Sequence, residues 1–336
     1  MIELQMKTNN SNKYINTIFF ITSVVLLVLL SLVSGFRILG EGPDYSNYVK
    51  LFTGTKTQQT FVEPGFAIFR SINNEIFFSS ITTVYFIAAI ISLFILFYSF
   101  TQVSKHYFLA LLFYIPTFYL LHPYTQIRVA VAISIFFLSI KDIRNDDFKN
   151  YFFKILLAFM FHYSSIMMFF CWLYIKISKS VKFYVVIPII GFVIAIVGRY
   201  IKVDAFEFIT KIQLIFNINK SGNISDFMSV FNLKYLSMLI LLLILSKILI
   251  FSNNHYLLVL FKIYSFGLCF YYYLNPLSLP VISVRFAEYY TTVIVLLLAE
   301  ASFNNKVKQK SFFLCCSIFF ILFYFYATIK TLGLLS

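Results

Sequence analysis

Four polar side chains stand where chemistry would need them: Arg128, His162, Glu63 and Asp44. Arg128 opens an apolar run, Gln126-Ile127-Arg128-Val129-Ala130-Val131-Ala132. An arginine there ordinarily snorkels to the lipid headgroups. Ala130 and Ala132, however, suit close helix packing, which would turn the guanidinium toward other helices. Its planar five-donor fork matches phosphate oxygens two at a time, so a diphosphate at a membrane surface is its natural ligand. His162 lies in Phe159-Met160-Phe161-His162-Tyr163-Ser164-Ser165. An isolated histidine is more often a satisfied buried residue, but at membrane depth an ionisable ring is costly and usually functional. Its place fits a base, or a hydrogen-bond donor to a polar substrate. No second His or carboxylate stands at metal-ligand spacing, so neither metal nor cofactor is expected. Glu63 precedes Pro64-Gly65, a turn that fixes a carboxylate for either a chemical or a structural hydrogen-bonding role. Asp44 and Tyr48 share a face if a short helix forms, with Tyr45 beside them.

A second arginine, Arg285, occurs in Val284-Arg285-Phe286-Ala287-Glu288, about one helical turn below the turn Asn275–Pro280. At the depth of Arg128 it would complete a two-point clamp on a diphosphate. The plainer alternative is a salt bridge to Glu288 at i, i+3. Lys262 either lines a cavity or meets a helix-end carbonyl, and Lys247 snorkels at a helix end.

The elements that must position these groups follow from composition. Of 336 residues, 60% are hydrophobic and 12% charged, against about 45–50% and about 25% in soluble domains. Long apolar stretches recur from end to end, and each helical crossing needs roughly 20 such residues. The fold class is therefore an all-α polytopic membrane protein. A soluble enzyme, a nucleic-acid binder and a disulfide-stapled secreted domain are excluded. Lys plus Arg number 27 against 13 Asp plus Glu, a net charge of +14, which reads first as a topology signal. Cys171, Cys269, Cys315 and Cys316 lie in apolar runs and read as small buried residues.

Spans are expected near 14–36, 78–100, 107–122, 124–141, 183–200, 233–251, 257–274, 281–300 and 311–329, about ten crossings counting the segment 151–176. The first lacks a small-residue cleavage site and reads as a signal anchor. With no internal repeat or linker, 1–336 reads as one integral membrane domain with two polar insertions, 37–76 and 201–232. If 151–176 crosses once, Lys176, Lys179, Lys182, Lys306, Lys308 and Lys310 all fall outside, against the positive-inside rule. If it enters and returns, they become cytoplasmic. At 1.5 Å per residue the segment is too short for two full crossings. It is therefore expected to be a re-entrant or broken-helix hairpin turning near 161–165, with the single crossing as the other reading. The hairpin brings loop 37–76, Arg128, His162, loop 201–232 and Arg285 to one extracytoplasmic side. In loop 37–76, Tyr45, Tyr48, Phe61 and Phe66 suit a lid packed on the membrane face. Loop 201–232 reads as an interfacial amphipathic helix carrying Phe206, Ile209, Ile212 and Phe216.

The chain resembles the EpsG family of Wzy-like exopolysaccharide and O-antigen polymerases. The resemblance rests on Asp44-Tyr45-x-x-Tyr48 after the first span, Glu63-Pro64-Gly65-Phe66, Ile127-Arg128-x-Ala130-x-Ala132, Phe161-His162-Tyr163-Ser164 and Arg285-Phe286. It implies a metal-independent glycosyltransferase of GT-C-like architecture on the outer face of the bacterial cytoplasmic membrane. Donor and acceptor would be glycans on undecaprenyl diphosphate, with membrane lipid around them. A chain-length regulator and a flippase of the same pathway would be partners. Arg128 and Arg285 would hold the diphosphate, Tyr45 and Tyr48 would face the sugar, and His162, Glu63 or Asp44 would accept the hydroxyl proton. The alternative from another class is a flippase for lipid-linked oligosaccharide or another polysaccharide transporter. Transporters commonly show paired helix breaks in repeated halves, and the break near His162 has no partner in the second half.

Overall fold

A computed structural model describes residues 2–53, 63–200, 230–250, 254–277, 280–303 and 310–332. All regular structure among them is helical. The helices are α1 (Ile2–Gly35), α2 (Tyr45–Thr53), α3 (Pro64–Ile76), α4 (Ile81–Val103), α5 (Tyr107–Tyr114), α6 (Ile127–Asn145) and α7 (Phe148–Phe161). There follow α8 (Phe169–Lys176), α9 (Val181–Tyr200), α10 (Leu233–Ile250), α11 (His255–Leu274), α12 (Pro280–Thr291), α13 (Ile294–Ser302) and α14 (Lys310–Leu332).

Among the described residues, seven stretches are long and apolar enough to cross a membrane: Asn16–Gly35, Ile81–Val103, Tyr107–Thr125, Val181–Gly198, His255–Leu274, Ile282–Ser302 and Phe313–Lys330. The chain is a multi-pass membrane protein. Within the expected set, α6 has the length but carries Arg128, Lys141, Asp142 and Arg144, which confines its uncharged part to 129–140. The third span runs to Thr125, not 122, because α5 continues as a wide π-helical segment, Ile115–Thr125, containing Pro116 and Pro123. Each proline removes an N–H that a regular α-helix would use. The last apolar pair breaks between α12 and α13, with Ile282–Ser302 still forming one span.

The chain packs as two compact units. The first comprises Met1–Lys141, Lys149–Ser165 and Cys316–Ser336 as far as these are described. In it α1 lies along α4 and the π-helical segment. Ser34 Oγ donates to the Pro123 carbonyl at 2.9 Å and Tyr119 Oη to the Leu30 carbonyl at 2.6 Å, so side chains meet backbone acceptors that water cannot reach. The insertion 37–76 is not open loop where described. Tyr48, Phe52 and Phe66, from α2 and α3, are buried against Val84, Tyr85, Ala88 and Ile127, with Tyr45 packed at the edge of the cluster. Phe61 lies outside the described residues, as do 201–229 and the amphipathic helix expected there.

The second unit comprises Asp142–Phe148 and Ile166–Cys315. Its centre is α11, whose Tyr264 Oη donates to the Met238 carbonyl of α10 at 2.9 Å. The segment 151–176 is divided between the units, its residues from Ile166 onward belonging to the second. Helix α7 stops at Phe161, a 3-10 turn covers Tyr163–Met168, and α8 ends at Lys176. Lys176 Nζ pairs with Asp146 Oδ1, and the Trp172 ring packs edge-on to Phe148 at 5.2 Å. Residues 146–148 and 172–176, thirty positions apart at the ion pair, therefore lie side by side. Lys262 Nζ donates to the carbonyls of Ile175 and Ser178 at 2.9 and 2.8 Å. Of the two readings for that lysine, the helix-end carbonyls are the one realised. Cys171 and Cys269 are buried, but Cys315 and Cys316 are exposed on α14, so the all-buried expectation fails for this pair.

Candidate functional site

Glu63 occupies the N-cap position of α3 with Pro64 at N1. Proline is preorganised for that first turn and forces the residue before it into extended backbone, here φ −58°, ψ 140°. The Glu63 side chain does not cap its own helix and so is free to point elsewhere. Gly65 decides where. A Cβ at that position would come within 3.0 Å of both the Met160 carbonyl and the Phe161 ring. Glycine thus lets α3 lie directly on the C-terminal end of α7, where His162 follows as the first residue past the helix, its N–H still bonded to the Ala158 carbonyl at 3.0 Å. Arg128 reaches the same place as the second residue of α6.

The three side chains meet on the carboxylate. Arg128 Nη1 donates to Glu63 Oε2 at 2.7 Å, and His162 Nδ1 lies 3.2 Å from Glu63 Oε1. Glu63 is 3% exposed, and burial by itself would raise its pKa. The hydrogen bond from His162 and the positive charge of Arg128 outweigh burial and bring the carboxyl down to about 2. An ionised carboxylate only accepts hydrogen bonds, so Nδ1 carries the proton in this pair. A neutral ring so held keeps its lone pair on Nε2. The guanidinium also lies over the Tyr48 ring, 5.5 Å from its centre. Burial raises the Tyr48 phenol's pKa, with Arg128 acting against it.

The aromatic pair of α2 divides. Tyr48 is 4% exposed and packs edge-on to Tyr85 at 5.7 Å, so its ring supports Arg128 and is closed to a sugar. Tyr45 is half-buried and stacks on the other part of Tyr85 at 5.9 Å. Asp44 begins α2, its carbonyl accepting from Tyr48 N at 3.1 Å. Among the described residues it has no hydrogen bond to Glu63, Arg128 or His162. Two residues that sequence reading passed over adjoin this group. They are Tyr85, inside an apolar span, and Arg37, which lies over the Tyr85 ring at 4.4 Å. The only sequence signal for Arg37 is a cation directly after the apolar run of α1.

Arg285 belongs to the second unit, where it is exposed on α12. The alternative reading of Arg285, a bridge to Glu288, is not the one formed. Glu288 is buried and pairs with Lys234 of α10 at 3.3 Å. Glu288 faces α10 while Arg285 points outward, so helical spacing alone misassigned the partner.

Compared with models of known families, residues 18–335 match the EpsG family. No curated protein and no solved structure matches the chain.

Proposed function

The chain belongs to the EpsG family of Wzy-like polymerases, and from that premise we propose that it joins undecaprenyl-diphosphate-linked repeat units into O-antigen, capsule or exopolysaccharide. The observation that carries the chemistry is one buried carboxylate holding a guanidinium on one oxygen and an imidazole on the other. His162 Nε2 takes the proton of the acceptor's sugar hydroxyl, whose oxygen attacks the donor's anomeric carbon. The bond from that carbon to the diphosphate breaks, and undecaprenyl diphosphate leaves with the electron pair. Arg128, side chain 30% exposed, stabilises the charge that develops on the leaving group in a partly dry setting. Glu63 is the positioning residue: too weak a base at about 2 to compete for the proton, it fixes the ring's tautomer and steadies the arginine. Tyr45 faces the sugar and Tyr48 carries Arg128. Arg285 is assigned to a diphosphate by its sequence setting.

In this reading the site opens on the outer face of the bacterial cytoplasmic membrane. The seven spans, with α6, α10 and the α7–α8 hairpin, give about ten membrane-embedded passes of GT-C-like architecture. The return of Lys176 to Asp146 supports this topology, because it keeps the lysines after α8 beside those before α7.

The test is Arg128→Ala in a strain lacking the native gene. Long-chain glycan should vanish, while the protein stays in the membrane and single repeat units persist. In membranes supplied with lipid-linked repeat units the rate should fall roughly 10²–10³-fold. Normal chain lengths would overturn the assignment, and disappearance of the single units would favour the flippase.

A further inference from the structure

Arg37 is a guanidinium of the first unit that the triad does not use. It stands two residues past the C-terminus of α1 in left-handed backbone, φ 52°, a conformation that residues with side chains adopt rarely. Three rings cage it, with Cζ 4.0 Å from the centre of Tyr124, 4.4 Å from Tyr85 and 5.6 Å from Tyr45. Nη1 donates to the Tyr124 carbonyl. The Tyr124 hydroxyl in turn clips the loop, donating to the Gly40 carbonyl at 2.6 Å and accepting from Leu39 N at 3.1 Å.

The opposite edge is left over. Nε and Nη2 are buried and have no hydrogen-bond partner among the described residues, and the same holds for the Tyr85 hydroxyl. Buried donors of this kind are normally satisfied, and leaving them empty costs folding free energy. The Nε–Nη2 edge is also the one that grips a phosphate through two parallel N–H bonds. Gly42 packs against this edge, where a Cβ would come within 3.2 Å of Nη2 and 3.0 Å of Thr125 Oγ1.

Position selects the ligand. Arg37 follows immediately on the span Asn16–Gly35, at the depth of lipid headgroups. Its neighbours Phe36, Ile38 and Leu39 are 66%, 65% and 47% exposed, which suits a hydrocarbon tail beside a phosphate and is poor company for a free anion. Arg37 and Arg128 also share one aromatic wall, since Tyr85 under Arg37 packs on Tyr48 under Arg128. A polymerase that joins two lipid-borne diphosphates has use for two such points. We propose that Arg37, with the Tyr85 hydroxyl, is a further phosphate-binding point beside Arg128 in the first unit, taking the diphosphate of a lipid-linked substrate. The naming of that lipid rests on the polymerase reading above.

The full-length protein in phosphatidylcholine nanodiscs is titrated with a short-chain polyprenyl diphosphate, the matching polyprenyl alcohol and phosphatidylglycerol. Wild type, Arg37→Lys and Arg37→Gln are compared, and thermal unfolding is recorded for each. Lysine keeps a cation among the three rings but cannot make the two parallel bonds. Arg37→Lys should therefore stay folded and bind the diphosphate roughly tenfold more weakly, with Arg37→Gln weaker still and the alcohol unaffected. Equal diphosphate affinity in the folded lysine variant overturns the site and leaves Arg37 as a strut for the loop. The same Arg37 dependence for phosphatidylglycerol overturns the substrate assignment in favour of bulk headgroups. Arg37-dependent diphosphate binding in discs that make no polymer from lipid-linked units would sink the polymerase reading while the phosphate point stands.

Discussion

Replacing Glu63 by Gln tests the triad at its narrowest point. The carboxylate offers one oxygen to Arg128 Nη1 at 2.7 Å and the other to His162 Nδ1 at 3.2 Å. The amide has a single oxygen for these two donors, and its NH₂ is itself a donor. Arginine cannot give up its hydrogens, and its charge makes the stronger claim, so the amide oxygen turns to Arg128. The NH₂ then faces Nδ1, which must become the acceptor, and the ring proton moves to Nε2. The nitrogen meant to take the acceptor's proton is thereby blocked. General-base catalysis contributes about 10²–10⁴ in rate, or about 3–5 kcal/mol, and that is the expected loss. Loss of one charge-assisted bond should cost stability about 1.5–3 kcal/mol, so protein remains to be assayed. Turnover is read in membranes with lipid-linked repeat units and by glycan length in cells. Glu63→Asp, which keeps both oxygens, should recover part of the loss. If Glu63→Gln retains a third or more of wild-type turnover, the tautomer argument is refuted.

Other consequences can be checked separately. Gly65→Ala should force α3 off Met160 and Phe161 and separate Glu63 from His162, lowering turnover about tenfold or more; unchanged turnover would show that the close approach is dispensable. Lowering the pH should remove the stability that the ionised Glu63 supplies. Its carboxyl sits at about 2 against an ordinary 4.5, so the contribution, about 3 kcal/mol, is complete above 4.5 and declines as pH falls toward 2. The melting-temperature gap between wild type and Glu63→Gln should therefore narrow through that window, and a constant gap from pH 7 to pH 3 would contradict it. A cysteine at Lys179, three residues past the ion-paired Lys176, should resist membrane-impermeant reagents added outside the cell. Strong external labelling would restore the single crossing.

The membrane fold was legible because its solvent writes itself into composition, and Arg128, His162 and Glu63 were legible as polar residues in apolar or turn-forming settings. Their meeting on one carboxylate was not, since Glu63 and His162 are 99 residues apart and only Gly65 hints at the close packing that joins them. Tyr48 read as sugar-facing because a tyrosine near a surface loop gives no sign of which way its ring will pack. Glu288 took Lys234 over Arg285 because a buried carboxylate selects whichever cation the adjacent helix delivers. The span read as 107–122 ends three residues later, at Thr125, because Pro123 looks like a terminus when the wider π-helical hydrogen-bond pattern is not considered.

The contact between Lys262 and the carbonyls closing α8 also bears on how the chain is made. The ammonium that finishes this short helix is synthesised 87 residues after Ile175. Until α11 has emerged and docked, the Ile175 and Ser178 carbonyls have the Tyr184 hydroxyl, at 2.8 Å from each, but not the charged donor. A newborn chain can therefore begin this helix end locally, through Tyr184 of α9, and it is completed only by a tertiary contact once α11 is in place.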